Sequence, residues 1–150
     1  MYDHWIANAL VVLVTAASVA LAVLVHYEGL ARLNRRLVHV HAQRRRKVLI
    51  GVYGVILLHV VEIWLFGLAL WLLLLAPHTG SLATASPVTF LDAVYLSAET
   101  FTTVGYGDLA PVGAIRFLAG TEALTGFILI TWSASFLYLE MEQYWRKPGG

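Results

Sequence analysis

Seven consecutive residues, Thr102, Thr103, Val104, Gly105, Tyr106, Gly107 and Asp108, interleave glycine with bulky side chains. An extended strand of L-residues sends successive carbonyls to opposite sides. Glycine takes positive φ at little steric cost, so Gly105 and Gly107 let handedness alternate along the strand and let successive carbonyls face one way. A row of main-chain oxygens on one side is a cage for a cation stripped of its water. Thr103 would add a side-chain oxygen at one end of the row. Val104 and Tyr106 are expected to face away and pack behind the strand. Elsewhere the polar residues form no nucleophile–base constellation, and the chain has no Cys, hence no thiol nucleophile, thiolate metal site or disulfide. The sequence predicts no enzyme.

The elements that must position this strand are read from composition. The chain has 150 residues, 59% hydrophobic and 13% charged, with a mean hydropathy of +0.74. Soluble domains run nearer about half apolar and about a quarter charged. The balance excludes a disordered chain, a basic nucleic-acid-binding domain and an ordinary soluble enzyme, and leaves a small integral membrane protein. A helical span needs about 20 mostly apolar residues to cross a hydrocarbon core about 30 Å thick. Three stretches qualify: 5–25, without charge; 48–76, interrupted by His59 and Glu62; and 113–139, carrying Arg116 and Glu122. The first begins with Asp3 and His4 and has no Lys or Arg before Arg32, unlike a signal peptide, so it is expected to remain as a span.

The net charge of +1 is uninformative, but its distribution is not. Seven of the ten Lys and Arg are Arg32, Arg35, Arg36, Arg44, Arg45, Arg46 and Lys47, and two more are Arg146 and Lys147. Positive charge stays cytoplasmic. The reading is a multi-pass protein of the cell membrane: N-terminus outside, residues 28–47 inside, 77–112 outside, C-terminus inside. Trp5, Tyr144 and Trp145 fall where an aromatic belt would lie. Leu30, Leu33, Leu37 and Val40 recur at helical spacing, which predicts a helix that continues the first span or lies on the membrane surface. Arg44, Arg45, Arg46 and Lys47 either meet anionic lipid head groups or form a solvated basic turn. A voltage sensor would need Arg at every third position within an apolar span, and these charges lie outside the spans.

Between the second and third spans, residues 90–102 are apolar but too few to cross. Thr89 can cap them, with Asp92 three residues later acting as in a capping box, and Pro87 fits just before. Gly105, Gly107 and Pro111 end the helix. A short helix with an extended return on the outer side is a re-entrant loop. Bare backbone at that depth is tolerated only when buried in protein or lining a water-filled path, so this segment predicts a pore.

With a pore expected, the run Thr-Thr-Val-Gly-Tyr-Gly-Asp at 102–108 resembles the selectivity filter of the potassium channel family, in the pore-domain form of small bacterial channels. The resemblance covers about residues 48–140, in the order outer helix 48–76, pore helix 90–102, filter 103–107 and inner helix 113–140. It implies an all-α membrane protein with three transmembrane helices, a re-entrant pore helix and a filter. It also implies a potassium-selective subunit for passive transport, binding K+ ions at Thr103, Val104, Gly105, Tyr106 and Gly107 and using no organic cofactor. One chain carries one filter and no internal repeat, so a homotetramer around one axis is required. Glu99, nine positions before Asp108, matches a family pair of carboxyls that would share a proton and support the filter. Tyr95 stands where the family has Trp, so its reach to Asp108 is open. Gly126, ten residues after Arg116, matches the family's gating hinge, although close helix packing would equally suit a glycine. Ile130, Ala134 and Ser135 would line the inner cavity. A weakly selective cation channel and a non-conducting potassium-binding sensor are the alternatives.

The remaining polar residues lie inside spans. His59 and Glu62 are three apart on one helical face and can pair, as structural glue or as a proton sensor. Thr15 and Ser18 lie at similar depth on the first span, which predicts that the first two spans pack through this polar stripe. Glu122 is expected behind the filter or against a neighbouring subunit. His39, His41 and His78 are in loops without a ligand cluster. Residues 1–47 thus form an N-terminal helix with a basic cytoplasmic loop, 48–140 the pore domain, and 141–150 a short cytoplasmic tail. No nucleic-acid partner is expected.

Overall fold

The apolar stretches form long helices because a chain in hydrocarbon must satisfy its backbone internally. The computed structural model describes residues 2–39, 44–84 and 87–145. Its elements are α1 (Tyr2–His39), α2 (Arg44–Leu75), β1 (Ser81–Ala83), α3 (Phe90–Phe101), β2 (Ala110–Val112) and α4 (Arg116–Trp145). Three of the helices, α1, α2 and α4, are long and apolar enough to cross a membrane. The expected all-α membrane fold is the fold observed, with two short strands added.

Helix α1 does not end at residue 25. Its 38 residues span about 57 Å at about 1.5 Å per residue, well beyond a hydrocarbon core of about 30 Å. The extension packs on α2 rather than lying alone on a surface. Leu30 and Leu37 are buried. A Cβ at Gly54 would meet Leu33 at 2.7 Å, and a Cβ at Gly29 would meet Leu58 at 2.5 Å, so each helix offers a glycine notch to a leucine of the other. Val40 and His41 lie outside the described residues. The basic run is also helical: α2 begins at Arg44, with Arg45 and Arg46 exposed and Lys47 half-buried. Of the two readings of this run, a solvated turn gives way to the first turn of a helix.

The core is one cluster shared by all four helices. Val11 and Ala22 come from α1, Phe66, Leu70 and Leu73 from α2, Ala93, Leu96 and Phe101 from α3, and Leu118 and Leu129 from α4. Helix α3 lies so close to α2 that a Cβ at Gly67 would sit 2.8 Å from the Val94 Cα.

Both ends of the segment carrying α3 are clamped. Strands β1 and β2 pair antiparallel, with Ser81 opposite Val112, Leu82 opposite Pro111 and Ala83 opposite Ala110. This pairing was not read from the sequence, where 77–112 showed only the short helix and a return. The Thr79 hydroxyl reaches the Leu73 carbonyl at 2.5 Å and the Ala76 carbonyl at 3.0 Å, while the Thr79 carbonyl accepts from the Ile115 N–H at 3.1 Å. One threonine thereby closes α2 and fixes the entry to α4. That helix starts at Arg116, three residues after the expected start at 113, because Gly113 takes φ +89° just before it.

Candidate functional site

Helix α3 is capped as its sequence dictates. The Thr89 N–H and hydroxyl donate to Asp92 Oδ2 at 2.7 and 2.8 Å, and the Thr89 Oγ1 accepts from the Asp92 N–H at 3.3 Å. The Thr89 backbone bond, then its hydroxyl bond, hold the Asp92 carboxyl below its ordinary value of 3.8. The helix ends at Phe101, one residue short of the expected 102, with Thr102 as its C-cap.

The backbone then alternates. Thr103 has φ +59°, Gly105 +55° and Gly107 +79°, whereas Val104 and Tyr106 between them stay out of the positive region. The glycines were expected to do this. Thr103 was not, because a β-branched residue at positive φ is strained by about 1–3 kcal/mol. Glu99 explains part of how the alternation is held. Its carbonyl accepts from the Gly105 N–H at 3.2 Å and its Oε2 accepts from the Tyr106 N–H at 3.0 Å. Two consecutive amides are thus turned back toward α3. Among the described residues no hydrogen bond ends on the carbonyls of Thr103, Val104, Gly105 or Tyr106. Donors are thus tied back while these carbonyls accept no hydrogen bond within the described residues.

One expectation about the strand's support is corrected, and one that was left open is answered. Glu99 and Asp108 do not share a hydrogen bond among the described residues; Glu99 is occupied by the Tyr106 amide. Asp108 is instead held by Tyr95, whose hydroxyl lies 3.1 Å from each carboxylate oxygen. Tyrosine therefore makes the reach that was left open. Desolvation, followed by the bond to Asp108, raises the Tyr95 phenol above its ordinary value, so it stays a donor at neutral pH. Finally, Val104 and Tyr106 do not pack behind the strand within one chain: they are 53% and 73% exposed.

Helix α4 runs unbroken through Gly126. A Cβ there would lie 2.1 Å from the Phe101 carbonyl oxygen, so the glycine is required by the close approach of α4 to the end of α3. Of the two roles considered for Gly126, packing is the one with a contact behind it. Ile130, Ala134 and Ser135 are exposed on α4, with the Ser135 hydroxyl returned to the Thr131 carbonyl at 3.0 Å. Glu122 is buried behind α3 and hydrogen-bonds Ser97, whose hydroxyl also lies 2.8 Å from the Ile63 carbonyl. Ser97 thus ties α2, α3 and α4 at one point.

The expected His59–Glu62 pair forms, with His59 Nδ1 2.9 Å from Glu62 Oε2. A third residue joins it: His26 Nδ1 lies 2.8 Å from Glu62 Oε1. His26 was missed because the first span was ended one residue earlier. Its only signal was the helical spacing that continues through Leu30. The Thr15 and Ser18 hydroxyls donate to the carbonyls of Val11 and Val14 in their own helix. The polar contact between the first two helices is therefore His26–Glu62, not the Thr15–Ser18 stripe. The side chains of Arg44, His39, Tyr144 and Trp145, and residues Arg146 and Lys147, lie outside what the structure describes.

Residues 47–142 match the family model described as "Ion channel". Protein LctB of Geobacillus stearothermophilus is 38% identical over 82 residues, 55% of this chain and 61% of that protein. Protein LctB of Bacillus caldotenax is 50% identical over 38 residues, 25% of this chain and 28% of that protein. The inward rectifier potassium channel Kirbac3.1 of Paramagnetospirillum magnetotacticum is 40% identical over 55 residues, 36% of this chain and 19% of that protein. The chain thus spans less than two thirds of each of these relatives. No solved structure gives a significant match. The matched region runs from the start of α2 to near the end of α4 and contains the capped short helix and the alternating strand. By that match the chain belongs to the ion-channel family, in its two-span potassium-channel pore branch.

Proposed function

We propose that this protein is the subunit of a potassium-selective channel, and that four copies around one axis form a passive path for K+ through the cell membrane. The observation that carries this is the alternation of backbone handedness at Thr103, Gly105 and Gly107, with the amides of Gly105 and Tyr106 tied back to Glu99. It leaves the carbonyls of Thr103, Val104, Gly105 and Tyr106 free to replace an ion's water. One strand provides a quarter of such a cage. The exposure of Val104 and Tyr106 supports the same reading, since neighbouring subunits are what would cover them. The C-terminal end of α3, a partial negative pole, favours a cation beside it. Ile130, Ala134 and Ser135 line the inner cavity in this assembly. The basic first turn of α2 lies on the cytoplasmic side against anionic lipid, with the N-terminus outside and the C-terminus inside.

The test is flux and reversal potential in liposomes holding the purified protein. Wild type passes K+ and excludes Na+. Gly105→Ala, which forces a side chain into φ +55°, loses K+ flux while the assembly survives. Equal permeation of Na+ and K+ by the wild type would mean a weakly selective cation pore. Potassium binding without flux would mean a sensor.

A further inference from the structure

Away from the strand at 103–107, three titratable side chains meet in one buried cluster. We propose that His26, His59 and Glu62 bind a divalent transition-metal ion of the zinc class, which fastens α1 to the pore-forming helices. Each residue offers a nitrogen or oxygen ligand, and those ligand atoms lie within 4.8 Å of one another. The donor set is two imidazoles and one carboxylate, which suits zinc and its neighbours rather than calcium or magnesium.

The geometry is close to what an ion needs. Bonds of about 2.0–2.2 Å arranged tetrahedrally hold ligand atoms roughly 3.3 Å apart. The observed separations are 2.8 Å from His26 to Glu62 and 2.9 Å from His59 to Glu62, so these two edges have to open by about half an ångström, and the two ring nitrogens lie within 4.8 Å of each other. His59 and Glu62 stand three apart on α2, and the antiparallel α1 delivers His26. The two imidazoles stack with centroids 5.5 Å apart, aimed at the same carboxylate.

The surroundings point the same way. Metal-binding imidazoles generally give their second nitrogen to an orienting partner. For His26, the Nε2 lies 3.5 Å from the Ser133 hydroxyl on α4. Trp132, 5.2 Å from the His26 ring, and Phe101, 5.7 Å from the His59 ring, wall the cluster off. His26 and Glu62 are fully buried, while the His59 side chain keeps 16% exposure. Only His26 has an orienting partner: His59 Nε2 is buried with none among the described residues. Hydrogen bonding alone places the Glu62 carboxylate between two rings whose Nδ1 atoms already face it. In a low-dielectric interior, a divalent cation offsets that carboxylate's charge.

The experiment is metal binding by the purified full-length protein, stripped with a chelator and titrated with Co2+ and then Zn2+. We expect a saturable visible absorption band from four-coordinate Co2+ at about one ion per chain, displaced by Zn2+. Glu62→Gln and His26→Gln lose the band while keeping wild-type helicity and elution. Ser133→Ala leaves all three ligands in place, so it carries the test if the ligand variants fold poorly. It weakens Co2+ affinity by about 10- to 100-fold. Absence of a saturable band in the wild type, or wild-type affinity in a folded His26→Gln protein, overturns the proposal. Neither readout depends on ion selectivity, so failure here and failure of the channel reading are separable.

Discussion

At the residue scale, Glu99 and Tyr95 hold the alternating strand through its amides and its terminal carboxylate. Glu99 uses its carbonyl and its carboxylate on consecutive amides, and Tyr95 anchors Asp108 just beyond them. Removing Glu99's side chain takes away the acceptor of the Tyr106 N–H, and a hydrogen bond to a charged group contributes about 1.5–3 kcal/mol, less where it is part-buried as here. Glu99→Ala should therefore lower the thermal midpoint and reduce the K+/Na+ permeability ratio, checked by melting curves and by reversal potentials. Glu99→Gln keeps an acceptor oxygen in reach of that amide and should fall between Ala and wild type. At Thr103 the strand adopts positive φ without a glycine, so its conformation is imposed by what surrounds it.

At the scale of elements, α3 is short enough that its ends decide its stability. Thr89→Ala removes the N-cap and should cost about 1 kcal/mol of stability, read by chemical or thermal unfolding. The cap also carries a pH dependence whose sign is fixed. Asp92 has a lowered folded-state value, so its contribution is complete above the ordinary carboxyl range and fades as pH falls through the lowered value. Acidification below about pH 4 should destabilise the wild type, and Asp92→Asn should flatten that part of the profile. Gly126 joins two elements by its smallness. Gly126→Ala places a methyl against the Phe101 carbonyl and should cost about 1–3 kcal/mol by overpacking. A glycine needed only for bending would show altered opening with an unchanged melting point, so the midpoint separates the two roles.

For the whole molecule, the decisive fact is that the strand with the chemistry lies on the surface of a single chain. Tyr106 and Val104 are exposed, as are Phe127 and Ile130 on α4. The native mass of the detergent-solubilised protein should therefore correspond to four chains, and K+ should stabilise that assembly. A ligand at about 100 times its dissociation constant adds about 2.7 kcal/mol, so the melting midpoint should rise when K+ replaces a non-permeant cation. A mass of one or two chains would remove the basis for the filter.

What the sequence determined by itself is what local rules govern. Apolar runs long enough for a bilayer gave three spans, a threonine and an aspartate three apart gave the cap of α3, and alternating glycines gave the handedness of the strand at Gly105 and Gly107, though not at Thr103. Each depends on neighbours within a few positions, so each is written in order along the chain. The tertiary structure alone decided the pairings across distance. Glu99 went to the Tyr106 amide and not to Asp108, His26 reached Glu62 from another helix, and β1 found β2 across the whole of α3. The reason is physical. A buried donor or acceptor takes the partner that packing brings within about 3 Å, and no periodicity in the sequence encodes that distance.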